Sequence, residues 1–253
     1  MISGDPKGEK VLFLHGWGGD ASAFLFCAER LKDEFCCVLP DFRGFGKSAE
    51  PKFPFGVADH AADVLALADE AGAERFCLVG HSFGGRVAIE IAARHPERVR
   101  SLVLVDSAGL RPRRGVFYRL RVFTHKLLKK LGGKGLAGSS DYRALSPVMK
   151  GTFVKVVNYD QTFLLPRIVC PTAVFWGKGD RDTPLYMAKR FVRGIRDSSL
   201  FLLEGGHFAY LEDERFFPIL RAFLRMTAGQ PPAFTEHPRD ADQNLSPSDP
   251  FSV

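Results

Sequence analysis

Residues 80–85 read Gly80-His81-Ser82-Phe83-Gly84-Gly85, directly after the apolar run Phe76-Cys77-Leu78-Val79 and before Arg86-Val87-Ala88-Ile89-Glu90-Ile91-Ala92. A short buried strand therefore turns into a helix within a few residues, with a serine at the corner and a glycine two positions to either side. So tight a turn holds its central residue in a strained backbone conformation, and a side chain at either flanking glycine would collide with the neighbouring strand or helix. The serine hydroxyl is lifted clear of the backbone, and the new helix aims the partial positive charge of its N-terminus at it. This is the Gly-x-Ser-x-Gly pattern of a nucleophile elbow. It gains chemical meaning only if a base, an acid and an anion-stabilising loop accompany it.

The rest of the chain supplies a frame for such a turn. Segments 11–14, 36–39, 76–79, 102–105, 172–176 and 200–203 read as buried strands. Segments 22–32, 57–71, 83–94, 185–193 and 212–224 read as helices. This alternation predicts an α/β protein with a mainly parallel sheet and helices on both faces. The rhythm breaks between Gly109 and Pro166, where a long insertion carries Val116, Phe117, Leu120, Phe123, Leu127, Leu128 and Leu131 at helical spacing before Gly132-Gly133. A second helix is expected over 140–157, with Tyr142, Leu145, Met149, Phe153 and Val156 on its apolar face. The pair reads as a small helical cap, at about 110–166, on a domain spanning 1–228. From residue 229 the text is rich in Pro, Ser and Asp without periodicity, as in a flexible tail.

Bulk properties narrow the setting. The chain of 253 residues is 45% hydrophobic and 25% charged, enough for one large core. Its five cysteines are odd in number and lack metal-ligand spacing, which fits buried free thiols in a reducing compartment. The N-terminus resembles no targeting segment and no apolar run is long enough to span a bilayer, so a cytoplasmic protein is expected. The net charge of +6 is concentrated: segment 111–155 holds twelve Lys or Arg against one acid, Asp141. The remainder of the chain is acidic, which argues against general nucleic-acid binding and assigns the basic character to the cap. A solvated basic face, direct recognition of an anionic substrate, and docking of an anionic carrier protein or membrane surface all fit this distribution.

The base expected to serve Ser82 is His207, in Gly205-Gly206-His207-Phe208 after the last strand. The expected acid is Asp180, in Trp176-Gly177-Lys178-Gly179-Asp180 after the strand before it. Asp182 and Asp106 compete for the acid's place. All lie just past the carboxyl ends of strands, where a parallel sheet presents its ligands. A serine hydroxyl is a poor nucleophile until an imidazole takes its proton, and the imidazole needs a carboxylate to fix its tautomer. The loop His15-Gly16-Trp17-Gly18-Gly19 directly follows the first strand, and the amides of Trp17 and Phe83 would converge on a substrate oxygen.

With the order Ser82, Asp180, His207, the loop 15–19, the turn Asp41-Phe42-Arg43-Gly44-Phe45-Gly46-Lys47-Ser48 and the Trp176–Pro184 segment, the chain resembles the α/β-hydrolase superfamily. The resemblance covers almost everything from Val11 to Leu224. It implies a Ser-His-Asp hydrolase with a helical cap, acting on a carboxylic ester, thioester or lactone through an acyl-enzyme, with no metal or organic cofactor. Carbon–carbon bond hydrolysis and a methyl-ester hydrolase for a carrier-protein-bound acyl chain use the same triad. A ligand-binding sensor on this fold is the reading from another class. Phe24, Phe117, Phe123 and Phe208 are expected to line an apolar pocket. His15 is expected to brace the oxyanion loop and His81 to support the pocket, whereas His60 and His95 are expected to be solvated. The 41–48 turn reads as structural, its Arg43 and glycines suiting a buried ion pair and tight backbone. The physiological substrate and the oligomeric state are not legible in the chain.

Overall fold

The computed structural model describes residues 1–111 and 144–229. Seven strands form one sheet: β1 (Ile2–Ser3), β2 (Lys10–Leu14), β3 (Cys36–Val38), β4 (Phe76–His81), β5 (Val99–Val105), β6 (Thr172–Gly177) and β7 (Ser198–Leu203). Their order is β1-β3-β2-β4-β5-β6-β7, with β1 antiparallel to β3 and all other neighbours parallel. The six strands expected from apolar runs are all present. The added strand, β1, is a two-residue edge too short to show a pattern.

The helices are α1 (Leu25–Leu31), α2 (Val57–Glu70), α3 (Phe83–Arg94), α4 (Pro147–Asn158), α5 (Tyr186–Gly194), α6 (Ala209–Glu212) and α7 (Phe216–Thr227), with single 3₁₀ turns at Ala21–Phe24 and Thr162–Arg167. Helices cover both faces because the strand side chains alternate. Leu12, Leu14, Leu78, Leu102, Leu104, Val174 and Trp176 meet α2, α3 and α5 on one face. Val11, Phe13, Val79, Val103, Val105 and Phe175 meet α1 and α7 on the other. Each fully buried Leu, Val or Phe contributes about 2 kcal/mol to this two-sided core. All five cysteines are free and buried. No described helix is long and apolar enough to cross a membrane.

Three departures from the sequence reading have local causes. The expected helix at 212–224 starts later, because the Asp213 carboxylate accepts the backbone N–H of Glu204 at 2.7 Å and of Arg215 at 3.0 Å, separating α6 from α7. The expected helix at 140–157 is seen as α4, whose start is fixed by Pro147 in the first turn and by the Ser146 hydroxyl accepting the Met149 N–H at 3.1 Å. His60 is fully buried, not solvated. It follows Val57 by three residues and precedes Val64 by four, so the period of α2 turns it inward. Its ring sits against Phe42, Phe55 and Phe83 at centroid distances of 5.5, 5.3 and 5.1 Å. Burial pushes its pKa down to about 4, which leaves it a neutral member of the core. His95 is part-exposed, as expected.

The first expected cap helix, around 116–131, and the tail from residue 230 lie outside the described residues. The described part of the insertion is fastened to the loop before α2 and to α3. The Thr152 hydroxyl of α4 accepts the Phe55 N–H at 2.9 Å, and Lys155 donates to the Pro54 carbonyl at 2.7 Å. After α4, the Arg86 guanidinium of α3 donates to the Tyr159 carbonyl at 2.7 Å, and the Gln161 amide donates to the Arg86 carbonyl at 2.9 Å.

α3 passes β2 at very close range. A Cβ on Gly84 would overlap the Leu14 carbonyl, and neither backbone has room to yield. Gly84→Ala is therefore expected to lower the unfolding free energy by about 3 kcal/mol, an overpacking cost readable as a lower urea midpoint.

Candidate active site

β4 ends at His81 and α3 begins at Phe83, so Ser82 alone forms the corner, with φ 50° and ψ −109°. This left-handed conformation is costly for a residue with a side chain and persists only where the surroundings impose it. Here they do. The Ser82 N–H donates to the Val105 carbonyl at 3.0 Å, and the Ser82 carbonyl accepts the N–H groups of Gly85 and Ala108 at 3.1 and 3.0 Å. At Gly80 an added Cβ would stand 2.6 Å from the Gly84 carbonyl, and at Gly85 it would overlap the Ser107 hydroxyl.

The corner brings Ser82 to residues that are about a hundred positions or more away. The Ser82 hydroxyl lies 2.9 Å from His207 Nε2, and His207 Nδ1 lies 2.9 Å from Asp180 Oδ2. A carboxylate can only accept, so Nδ1 carries the proton and the Nε2 lone pair faces the serine O–H. The Asp180 side chain is fully enclosed, and the imidazole is 14% exposed. Asp180 Oδ1 also accepts the N–H groups of Asp182 and Thr183 at 2.8 and 2.9 Å, and Oδ2 accepts the Thr183 hydroxyl. Burial alone would raise the pKa of Asp180. The hydrogen bonds from His207 and Thr183 outweigh it and hold the group below the usual carboxylate range.

Of the competing acids, Asp182 is exposed and lends Asp180 only its amide. Asp106 directly follows β5 and is wholly buried beside Asp180, but its Oδ1 accepts the Gly177 N–H at 2.8 Å. Donor atoms of Asp180, Asp182 and His207 cluster within 4.8 Å of one another, a grouping that carboxylates and imidazoles also offer to cations. Both ring nitrogens of His207 are already engaged, by Asp180 and Ser82, so a cation there would have to displace one of those contacts.

Two further histidines hold the loops in place. His15 Nε2 accepts the Phe42 N–H at 3.1 Å, so Nδ1 is the donor to the Gly16 carbonyl at 2.7 Å. The ring thereby ties the loop after β2 to the turn after β3, and burial lowers its pKa and keeps it neutral. His81 Nε2 donates to the His207 carbonyl at 2.8 Å, and its ring packs on those of His207, Phe208 and Tyr210 at 4.9, 5.1 and 4.9 Å. Its other edge leaves no space for a Cβ at Gly16. Burial pushes the His81 pKa down to about 4.

In the 41–48 turn, Asp41 accepts the N–H groups of Ala21 and Lys47 at 2.6 and 2.8 Å, and Gly44 and Gly46 adopt φ of 83° and 52°. The expected buried ion pair is instead solvent-exposed, Arg43 meeting Asp63 at 2.7 Å on the surface. A long guanidinium reaches the α2 carboxylate without entering the core.

Phe83 is the first residue of α3, so its amide has no carbonyl one turn back to receive it. Trp17 and Phe83 stand together, ring centroids 5.5 Å apart and edge to face. Phe208 is half exposed and meets His207 edge-on at 5.5 Å. Phe24 is not at the site's surface. It is 1% exposed, wedged between Phe13 at 5.3 Å and Tyr210 at 5.0 Å, because the 3₁₀ turn Ala21–Phe24 directs it into the α1 side of the core. Phe117 and Phe123 lie outside the described residues. The sequence reading missed Phe153 of α4, whose ring stands edge-on to Trp17 at 5.2 Å, and Met149, which packs against Gly44 of the 41–48 turn. Their spacing marked both as apolar-face residues. Spacing alone does not say which neighbour such a face covers.

Residues 10–121 match the family model described as alpha/beta hydrolase fold. The chain is 29% identical to the pimeloyl-[acyl-carrier protein] methyl ester esterase of Chromobacterium violaceum, covering 83% of this chain and 92% of that protein. It is also 29% identical to the pyrrolizixenacetamide deacetylase of Xenorhabdus hominickii, covering 87% and 92%. Among solved structures, a bacterial membrane phospholipase A superposes with a TM-score of 0.74 at 27% identity, covering 90% of this chain and 82% of that one. Sheet order, strained serine corner and these likenesses agree, and the chain belongs to the α/β-hydrolase superfamily.

Proposed function

We propose that the protein is a serine hydrolase of carboxylic esters, with Ser82 as nucleophile, His207 as general base and then acid, and Asp180 as the carboxylate that orients His207. The observation that carries this reading is the unbroken hydrogen-bonded run Ser82–His207–Asp180, with both His207 contacts at 2.9 Å. Ser82 Oγ attacks the ester carbonyl while Nε2 takes its proton, forming a C–O bond and moving the carbonyl electrons onto oxygen. The amides of Trp17 and Phe83 receive that oxyanion, and the N-terminus of α3 adds its partial positive charge. Collapse expels the alcohol, which leaves with the proton from Nε2. Water then repeats the sequence on the acyl-enzyme and releases the acid. Asp180 remains ionised throughout and stabilises the imidazolium at each tetrahedral stage. Nucleophile, base and anion receptor are all groups of the chain itself, so this route calls on no metal or organic cofactor.

The acyl side of the substrate is assigned to the aromatic wall of Trp17, Phe83 and Phe153, with Phe208 on the opposite rim. Phe117 and Phe123 remain proposed contributors from the insertion. A methyl ester on an acyl chain borne by an acidic carrier protein is a narrower reading. It is supported by the likeness to the Chromobacterium violaceum esterase and by the twelve basic residues of segment 111–155.

Purified protein is expected to hydrolyse p-nitrophenyl butyrate and to be labelled stoichiometrically by a fluorophosphonate. Ser82→Ala should abolish labelling and cut turnover by at least about 10⁴-fold. Wild-type protein inert to both reagents would overturn the reading, and labelling without turnover would turn it towards a sensor. Phe153→Ala is expected to reduce kcat/KM more for butyrate and hexanoate than for acetate, by roughly tenfold at the longest chain, as an aromatic contact of about 1 kcal/mol or more is lost.

A further inference from the structure

Asp106 has a place in the site that the mechanism above does not use. It directly follows β5 in the left-handed region, at φ 42°, a conformation uncommon for residues other than glycine. Its side chain is fully buried, and the Thr183 hydroxyl, which donates to the Asp180 carboxylate, lies 3.1 Å from its backbone carbonyl. The two side-chain carboxyl groups are also within reach of each other, and two buried carboxyl groups so placed do not both ionise. Which one keeps the charge is decided by their donors. Asp180 receives four: the Asp182 N–H, the Thr183 N–H, the Thr183 hydroxyl and His207 Nδ1–H. Asp106 receives one, the Gly177 N–H on Oδ1, and its Oδ2 has no partner among the described residues.

We propose that Asp106 is a positioning residue: a carboxylic acid kept neutral beside Asp180, which confines the pair's single negative charge to the group that faces His207. The proton resides on Oδ2, the oxygen without a donor. The charges that bear most on Asp106, Asp180 beside it and Glu212 on α6, are both acidic, and the Tyr210 phenol of α6 is also close enough to act on it. Burial, the largest effect, pushes its pKa up to about 8; the Gly177 N–H opposes it, and the Asp180 charge and a carboxyl contact with Asp180 add smaller upward effects. The inference rests on Asp180 being the orienting acid.

The sign of the resulting pH dependence is fixed. Folded Asp106 holds a proton that the unfolded chain gives up near pH 4, so its contribution to stability is complete below that pH. That contribution is lost as pH rises towards about 8. Asp106→Asn mimics the neutral acid and has nothing to titrate. Its melting temperature is therefore expected to climb relative to wild type between pH 5 and pH 8, by several degrees at the upper end. Turnover of p-nitrophenyl butyrate at pH 7 should fall by less than about tenfold in Asp106→Asn, against about 10⁴-fold in Asp180→Asn. Wild-type activity should also show a titration near pH 8 that Asp106→Asn lacks.

A melting difference constant across pH, or Asp106→Asn as inactive as Asp180→Asn, overturns the proposal. If Asp106→Asn does not fold, infrared spectra of the wild type decide instead. A protonated-carboxyl C=O band present at pH 6 and gone by pH 9 upholds it, and no such band at pH 6 overturns it. The melting and infrared measurements need no catalysis, so they separate failure of this proposal from failure of the hydrolase reading.

Discussion

Ser82 is held at φ 50° because α3 must leave β4 at once and run back across β2, with the Leu14 carbonyl occupying the space where Gly84 would otherwise carry a side chain. Much of the remaining architecture follows from that contact. It fixes the distance between α3 and the sheet, and so the position of Phe83 against Trp17, Phe42 and His60. It also forces the Ser82 carbonyl towards Gly85 and Ala108, which stitches the end of β5 to the corner and puts Asp106 behind it. The strain is stored locally, and the hydrogen bonds of three backbone groups hold it there.

The loops above the sheet are ordered by neutral imidazoles more than by ion pairs. His15 spans the loops after β2 and β3, and His81 carries the backbone of His207. Both are buried and kept uncharged, so each can present one donor and one acceptor edge in a fixed sense. Salt bridges such as Arg43–Asp63 and Lys178–Glu204 stay at the surface, where they add little. The Asp180 carboxylate lies behind Ser82, with the imidazole between it and the serine.

Much of this was legible in the sequence. Alternating apolar runs gave the parallel strands, and the glycines around Ser82 gave the corner. Ser82, Asp180 and His207 stand out in the sequence by their places after strands, and the structure brings all three within hydrogen-bonding reach. What escaped the reading depends on tertiary neighbours. His60 looks polar in a list of residues, yet the turn of α2 buries it among three aromatic rings. Phe24 has the composition of a pocket residue, and a single 3₁₀ turn sends it into the core. Phe153 was seen as an apolar-face residue, but only the hydrogen bonds that dock α4 onto residues 54 and 55 show that it meets Trp17.

That docking has a consequence for how such a protein diversifies. On one side of segment 112–143, the Arg111 carbonyl is held by the Arg190 guanidinium at 2.9 Å, and Leu110 is buried. On the other, Ser146 starts α4, which is tied down through Thr152, Lys155 and the Tyr159 carbonyl. The described ends of the insertion are thus clamped to α5 on one side and to α3 and the loop before α2 on the other, and neither clamp belongs to the Ser82–His207–Asp180 run. The contacts that hold these ends are separate from those that hold Ser82, His207 and Asp180. Evolution can alter one set of supports while inheriting the other.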